Sequence, residues 1–417
     1  MYRWRNSERS AGDGFLRRAV RHHDGRRRQW RRRRFQPYPI GLDLHYQRLY
    51  SFCSSSGCTD GNAPLAGLII DSSGNLWGTT SVGGAINGGL VFELVKPTPP
   101  STTWTLNPIY SFCSVMMSSV CTDGQTPKAQ LTYSGAESGT PYDGHSLLFG
   151  TTYSGGATSG TPHNVGVVYA LHLASGIWSE KAIHTFAGTP FPSDGEQPET
   201  GLVMDATTNV LWGTAQGGGT ASAGIAFSLT PGNHLWTSPW TEAVLYNFCW
   251  QGFHPCTDGS GPSGIVRDSS GNLYDATVDG GIQTSTNAGD GLVFKLTNGN
   301  CSKGGTGGFW CNTVLYDFCP SIGCADGLNP ALSSNLAMDS SGNLYGTTPA
   351  GGANGDGIVY ELSGATETVL HSFCSQTNCK DGEMPVAGVI LDSSGDLYGT
   401  TSAGGRGSSG TAFEISP

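Results

Sequence analysis

Leu370-His-Ser-Phe-Cys374, then Cys379-Lys-Asp-Gly382, then Val386-Ala-Gly-Val-Ile-Leu-Asp-Ser-Ser-Gly-Asp-Leu-Tyr-Gly-Thr-Thr401, then Gly410-Thr-Ala-Phe-Glu-Ile415 is the last of six copies of one pattern. The copies occupy residues 49–94, 109–171, 183–229, 245–296, 315–362 and 370–415. A repeat of this size is one supersecondary unit that can bury its apolar face only against its neighbours. In the first copy the short apolar runs are Ala66–Asp71, Asn75–Thr80, Leu90–Leu94 and, after a connector, Pro108–Phe112. Runs this short, rich in β-branched and aromatic residues and bounded by turn formers, predict strands. No stretch longer than a few residues has the apolar spacing of a helix.

The first two runs are joined by Asp71-Ser-Ser-Gly74, which recurs at 268–271, 339–342 and 392–395. Glycine supplies a positive φ there and the aspartate can accept hydrogen bonds from the turn's own N–H groups, so a tight hairpin is expected. The first run is apolar without alternation, which suits a strand buried on both faces between neighbours. Four antiparallel strands per copy predict an all-β chain, a β-propeller of six four-stranded blades. A parallel solenoid would need shorter rungs without hairpins. The last copy ends after its third strand and the first begins with a spare segment, so the strand near residues 48–52 is expected to close the last blade and remove an edge.

Charge is sharply divided. Residues 1–48 hold 14 Arg and 4 acidic residues, whereas 49–417 hold 8 basic and 28 acidic ones. So acidic a body disfavours nucleic acid and anionic membrane surfaces as partners. No run of about 20 apolar residues exists to span a membrane.

The twelve cysteines fall into local pairs: Cys53/Cys58, Cys113/Cys121, Cys249/Cys256, Cys301/Cys311, Cys319/Cys324 and Cys374/Cys379. Five pairs follow the Leu-Tyr-Ser-Phe run, and the third copy lacks both members together. Disulfides are expected, each contributing about 2 kcal/mol by loop closure. Thiolates at such spacing without a second pair or a histidine do not fill a zinc shell. An oxidising, extracellular or cell-surface location follows.

The N-terminal 1–47 conflicts with that location, since it shows an arginine cluster over 26–34 and no secretory apolar region. A disordered basic arm for nucleic-acid binding or localisation is one reading. A second rests on codons: arginine CGG followed by C reads as glycine one nucleotide later. Positions 20–35 then permit Tyr-Gly-Thr-Thr-Thr-Ala-Gly-Gly-Gly-Asn-Gly-Gly-Gly, then Val-Phe at its end, positions 14–17 permit Asp-Ser-Ser-Gly, and 36–39 permit Ser-Leu-Thr-Pro. Residues 13 to about 47 are therefore expected to be an out-of-frame remnant of another repeat, with 48–417 the single propeller domain.

The pattern Leu49-Tyr-Ser-Phe-Cys53, Cys58-Thr-Asp-Gly61, Ala66-Gly-Leu-Ile69, Asp71-Ser-Ser-Gly-Asn-Leu-Trp-Gly-Thr-Thr80 and Val91-Phe-Glu-Leu94 resembles the bacterial GloVer tandem repeat and covers residues 49–417. The resemblance implies a secreted or surface-anchored repeat protein whose anchoring segments vary between members.

Every copy carries Asp-Gly in the loop between blades, at Asp60, Asp123, Asp194, Asp258, Asp326 and Asp381, with a proline two to four residues on. These carboxylates either reverse the chain or form a ring at one mouth able to hold Ca²⁺ or meet sugar hydroxyls. Aromatics at Trp77, Phe149, Trp212, Tyr274, Tyr345 and Tyr398 hold one strand position each and suit packing between blades. Trp250 and Phe253, with Trp236 and Trp240, sit in irregular places and could stack on a sugar ring or anchor a protein. Enzyme motifs are missing: there is no Gly-x-Ser-x-Gly, no His-Glu-x-x-His and no P-loop. The expectation is a monomeric, non-enzymatic binding or structural module for an extracellular carbohydrate or protein, needing no cofactor unless Ca²⁺. The alternative is a carbohydrate-active enzyme, a glycoside hydrolase or lyase, in the central mouth. Glu137, Glu199 and Asp279 are acids outside the repeat and the first candidates for it.

Overall fold

The computed structural model describes residues 49–158, 161–162, 164–187, 194–250, 256–281, 289–299, 310–320, 323–330, 336–406 and 408–416. The basic segment 1–47, Phe253 and Cys301 lie outside them. The fold is a β-propeller of six small antiparallel sheets, with no α-helix among the described residues.

In the first blade the strands are Ile69–Ile70, Leu76–Thr80, Leu90–Val95 and Thr105–Ser111, paired in that order. The third, fourth and fifth blades repeat this meander, and the fourth adds a short strand, Ser260–Pro262, beside its second. In the second blade the first strand shrinks to one bridge, Thr132 with Phe149. The innermost strands elsewhere are only two residues long.

The Asp-Ser-Ser-Gly turn forms as the sequence predicts. Asp71 accepts from the N–H groups of Ser73 and Asn75 and from the Asn75 side chain. Trp77 Nε1 donates to the same carboxylate, as the hydroxyls of Tyr274 and Tyr345 do to Asp268 and Asp339. The strand aromatics therefore pack between blades and pin the hairpin at once.

Gly-Thr-Thr has a division of labour. A Cβ on Gly78 would lie 2.6 Å from Leu68 and 2.9 Å from the Phe92 ring, so only glycine lets that ring cross the strand. The first threonine reaches the next blade: Thr79, Thr151 and Thr347 donate to the carbonyls of Ala129, Thr200 and Ala387. The second turns back, with Thr80, Thr152 and Thr348 donating to Val82, Ser154 and Ala350.

The blades lock through a phenylalanine at the end of each fourth strand. Phe112, Phe186, Phe248, Phe318 and Phe373 are buried and meet Tyr169, Phe227, Phe294, Tyr360 and Phe413 of the following blade at 4.9–5.3 Å between centroids. The third and fourth strands carry a register shift at the same place in five blades, between Val91/Phe92, Val168/Tyr169, Ala226/Phe227, Val293/Phe294 and Val359/Tyr360. Such a bulge bends the outer strand and re-aims its end.

Two expectations need correction. Residues 49–52 form no strand, and the sixth sheet holds only Ile390–Leu391, Leu397–Thr401 and Thr411–Ile415, so the closing pair expected near 48–52 is absent from the described residues. The segment is held on the first blade instead: Phe52 stacks on Phe92 at 4.9 Å, Tyr50 bonds Asp60, and Cys53 is bonded to Cys58. Burial of the first strand on both faces also fails in the first and last blades, where Leu68, Ile70 and Ile390 are exposed.

Because the interlocking phenylalanines fill sites with no room to collapse, Phe248→Ala should cost about 3–5 kcal/mol in urea unfolding. Phe52→Ala, at a half-buried site, should cost clearly less. Equal losses at the two positions would contradict the packing described.

Candidate functional site

The six Asp-Gly aspartates are turned into their own loops. Asp60 accepts from the N–H and hydroxyl groups of Ser54 and Ser55 and from Tyr50. Against the upward push of burial, these donors hold its carboxyl well below the ordinary range. Asp123, Asp258 and Asp326 each take the hydroxyl of the strand tyrosine, Tyr110, Tyr246 or Tyr316, at 2.8 Å, and an N–H of the loop. Asp381 takes His371 at 3.2 Å and the Ser375 and Gln376 N–H groups. Asp194 takes the Ala187 N–H at 2.7 Å. None of the six lines the central cavity.

Five disulfides close five of these six loops, all but that of Asp194: Cys53–Cys58, Cys113–Cys121, Cys249–Cys256, Cys319–Cys324 and Cys374–Cys379. The first cysteine of each is in the left-handed region, with φ between 53° and 67°. The expected partner of Cys311 lies outside the described residues.

Among the irregular aromatics, Trp240 packs on Phe149 of the preceding blade and Trp236 stacks on His172, so both serve packing. Trp250 is 38% exposed. Of the acids outside the repeat, Glu199 is paired with Lys128 at 2.6 Å, and Asp279 is raised by burial and by Asp290. Glu137 alone lines the central cavity.

That cavity, about 1260 Å³, is lined by the first strands of the first five blades and by the hairpin turns 268–269 and 339–343. At its wall stands Arg267, where the other copies have Ile70, Tyr133, Met204, Met338 and Leu391. Its guanidinium lies 2.9 Å from Asp205 and 3.6 Å from Glu137, and over the Trp212 ring at 4.6 Å. The turn N–H groups of Thr208 and Thr207, with Arg267, hold Asp205 below the usual carboxylate range. Burial pushes Glu137 up, with Arg267 opposing. Glu137 stands on a 3₁₀ turn, Ala136–Ser138, inside an insertion of the second copy. Tyr142 of that insertion is fully buried, packs on Trp77, and exchanges backbone hydrogen bonds with Ile70 and Ser72. Arg267 was missed from sequence, although a lone charge at an apolar repeat position was its signal.

Two further departures were also missed. Asp275 replaces the glycine of Gly-Thr-Thr and is fully buried. It accepts from the Gly264 and Ala276 N–H groups and the Ser263 hydroxyl, bracing a Pro262–Ile265 approach to the inner strand that is one residue shorter than Pro64–Leu68 in the first blade. Glu180, Glu242 and Glu367 stand on fourth strands near Asp123, Asp194 and Asp326, each with an oxygen buried and unpartnered. Burial and the neighbouring carboxylate push Glu180 up to about 9 and Glu367 to about 7. Glu242 also rises to about 7, with His184 opposing.

The fold and its closed loops define a class: a disulfide-stapled propeller of tandem repeats. Residues 41–256 and 240–417 match the Gloeobacter/Verrucomicrobia repeat, and the chain belongs to that family. No curated protein matches it. Among solved structures it is similar to a soluble aldose sugar dehydrogenase from Escherichia coli in the apo-form, at 14% identity and TM-score 0.45, covering 86% of this chain and 97% of that one. A putative oxidoreductase (glucose dehydrogenase) from Thermus thermophilus gives 15% and 0.42 over 85% and 97%. The GH93 α-L-arabinofuranosidase of Fusarium graminearum with arabinobiose gives 13% and 0.42 over 84% and 90%.

The raised glutamates set a pH dependence. A carboxyl whose folded pKa exceeds its unfolded value holds a proton in the folded state that the unfolded chain has lost. For Glu180 that window runs from the ordinary glutamate range to about 9, and stability should fall as pH rises through it. In thermal melts from pH 5 to 9, Glu180→Gln should flatten the fall and melt higher than the parent at pH 9. A variant that keeps the parent's slope would contradict the assignment.

Proposed function

We propose that the protein is a non-enzymatic binding module of an extracytoplasmic space, taking a hydroxyl-rich ligand, an extracellular carbohydrate, in the central cavity around Arg267 and Glu137. The observation that carries this reading is Arg267 itself. At a position the repeat fills with apolar side chains, a guanidinium projects at the wall of a cavity large enough for an oligosaccharide. Tyr274, Asn343 and the serines at 269, 340 and 341 supply hydroxyl and amide groups around it, the donors and acceptors that sugar hydroxyls pair with. The Asp-Gly loops have a folding role that accounts for their recurrence, and so weigh little as a ligand ring.

The extracytoplasmic placement rests on the five disulfides. No helix among the described residues is long and apolar enough to cross a membrane. A hydrolase in the same mouth would need two carboxyls free to act as acid and base. Asp205 is engaged by its own turn and by Arg267, and Asp268 and Asp339, which line the cavity, by theirs, which leaves Glu137 without an unengaged partner among the described lining residues.

Glycan-array binding followed by calorimetry is the test. Arg267→Ala should weaken binding of the selected glycan at least about tenfold, as loss of one charge-assisted contact does, while Trp250→Ala leaves it unchanged. Binding lost with Trp250→Ala and retained with Arg267→Ala would move the site to the loop. Release of new reducing ends from the bound glycan, abolished by Glu137→Gln, would replace the binding reading with the enzymatic one.

A further inference from the structure

The first and sixth blades expose side chains that the other blades bury or half-bury against a neighbour. In each first strand the residues alternate between the preceding and the following blade. The position of Leu68 is filled by Leu131, Leu202, Ile265, Leu336 and Val389, all 8% exposed or less, whereas Leu68 is 46% exposed. Ile70 is 52% exposed, and its counterparts Tyr133 and Met204 are buried. These two face backward, and only the first blade leaves them open. The position between them faces forward. Ile69 and Thr132 are buried there, Val203, Val266 and Ala337 are half-buried, and in the sixth blade Ile390 is 71% exposed.

The second and third strands say the same. Thr79, Thr151, Thr214, Ala276 and Thr347 are buried and Thr400 is exposed. Val91, Val168, Ala226, Val293 and Val359 are fully buried and Ala412 is exposed. Buried clusters join first to second, second to third, third to fourth, fourth to fifth and fifth to sixth blades. The remaining cluster packs the first blade against Tyr50 and Phe52. The forward face of the sixth blade and the backward face of the first are therefore the two apolar faces that no neighbouring blade covers among the described residues.

Phe52 points to what would cover them. Its contact with Phe92 is the contact that the phenylalanine ending each fourth strand makes with the blade that follows. Residues 49–52 are thus the outgoing end of a blade that precedes the first. The chain immediately upstream, read one nucleotide later, permits Asp-Ser-Ser-Gly, Tyr-Gly-Thr-Thr and Ser-Leu-Thr-Pro in the order of the repeat. From the first of these to the last is 26 residues, against 27 for Asp205–Pro231 in the third copy.

We propose that these two faces are the seat of a seventh blade of this same repeat, encoded by the DNA now translated as residues 13–47 but in the adjacent frame. Leu49–Phe52 would be its outer strand. Such a blade covers Leu68 and Ile70 on one side and Ile390, Thr400 and Ala412 on the other, as their equivalents elsewhere in the ring are buried or half-buried.

The coding DNA gives the first test. Arg26–Arg28 and Arg31–Arg33 should use codons ending in GG, and AGA, CGA or CGT codons there would remove this occupant. The protein gives the second. A full-length chain with positions 14–47 recoded in the shifted frame should melt at least about 5 °C above the present chain, since a stabilisation of a few kcal/mol shifts Tm by that much in a domain this large. In the present chain Leu68→Glu and Ile390→Glu, at exposed sites, should each move Tm by no more than about 1 °C, and in the recoded chain each should lower it by about 5 °C or more. Equal, small effects in both chains, or a recoded chain that melts no higher, would overturn the proposal. So would light scattering showing the present chain as a dimer that either glutamate dissociates, since a second copy would then cover these faces.

Discussion

Everything in this fold depends on one constraint: a blade of short strands has two apolar faces and no means of covering either by itself. Each face is covered by the next blade through the same few contacts. The phenylalanine that ends the outer strand crosses onto an aromatic of the following blade, and the glycine of Gly-Thr-Thr leaves room for that ring. The first threonine after it bonds the neighbour's backbone. Stability is therefore a property of pairs of blades, and it is weakest where a pair is incomplete.

The loops follow from the same economy. A blade-to-blade connection must turn sharply at the rim, and the cysteines there adopt a left-handed backbone that ordinary residues avoid. A disulfide and an aspartate that gathers the loop's donors hold that conformation. In the third copy both cysteines are missing, yet Asp194 still accepts the Ala187 N–H, so the carboxylate clamp does not depend on the sulfur bridge. What recurs six times is spent on folding. Chemistry is to be sought where the repeat is broken, at Arg267 and Glu137.

The repeat made the blade order, the Asp-Ser-Ser-Gly hairpins and the cysteine pairing legible, because each is a local consequence of turn chemistry and strand period. The aspartates of the Asp-Gly loops were legible as turn formers, but their tyrosine and serine donors lie in the neighbouring strand and loop and emerge only in three dimensions. Leu49–Phe52 carries the same residues as the paired outer strands, so nothing local distinguishes a segment that pairs from one that does not. Arg267 and Asp275 were visible as departures from pattern. Their partners, Glu137 and Asp205 for the one and the Ser263–Gly264 backbone for the other, come from elsewhere in the fold.

Backbone hydrogen exchange, read strand by strand, tests the dependence of stability on neighbouring blades most directly. Amides of Leu211–Ala215 and Leu344–Thr348, flanked by blades on both sides, should exchange only on global unfolding. Those of Leu397–Thr401 and Thr411–Ile415, with one flank open, should exchange at least about tenfold faster. Equal protection in all four strands would contradict the account.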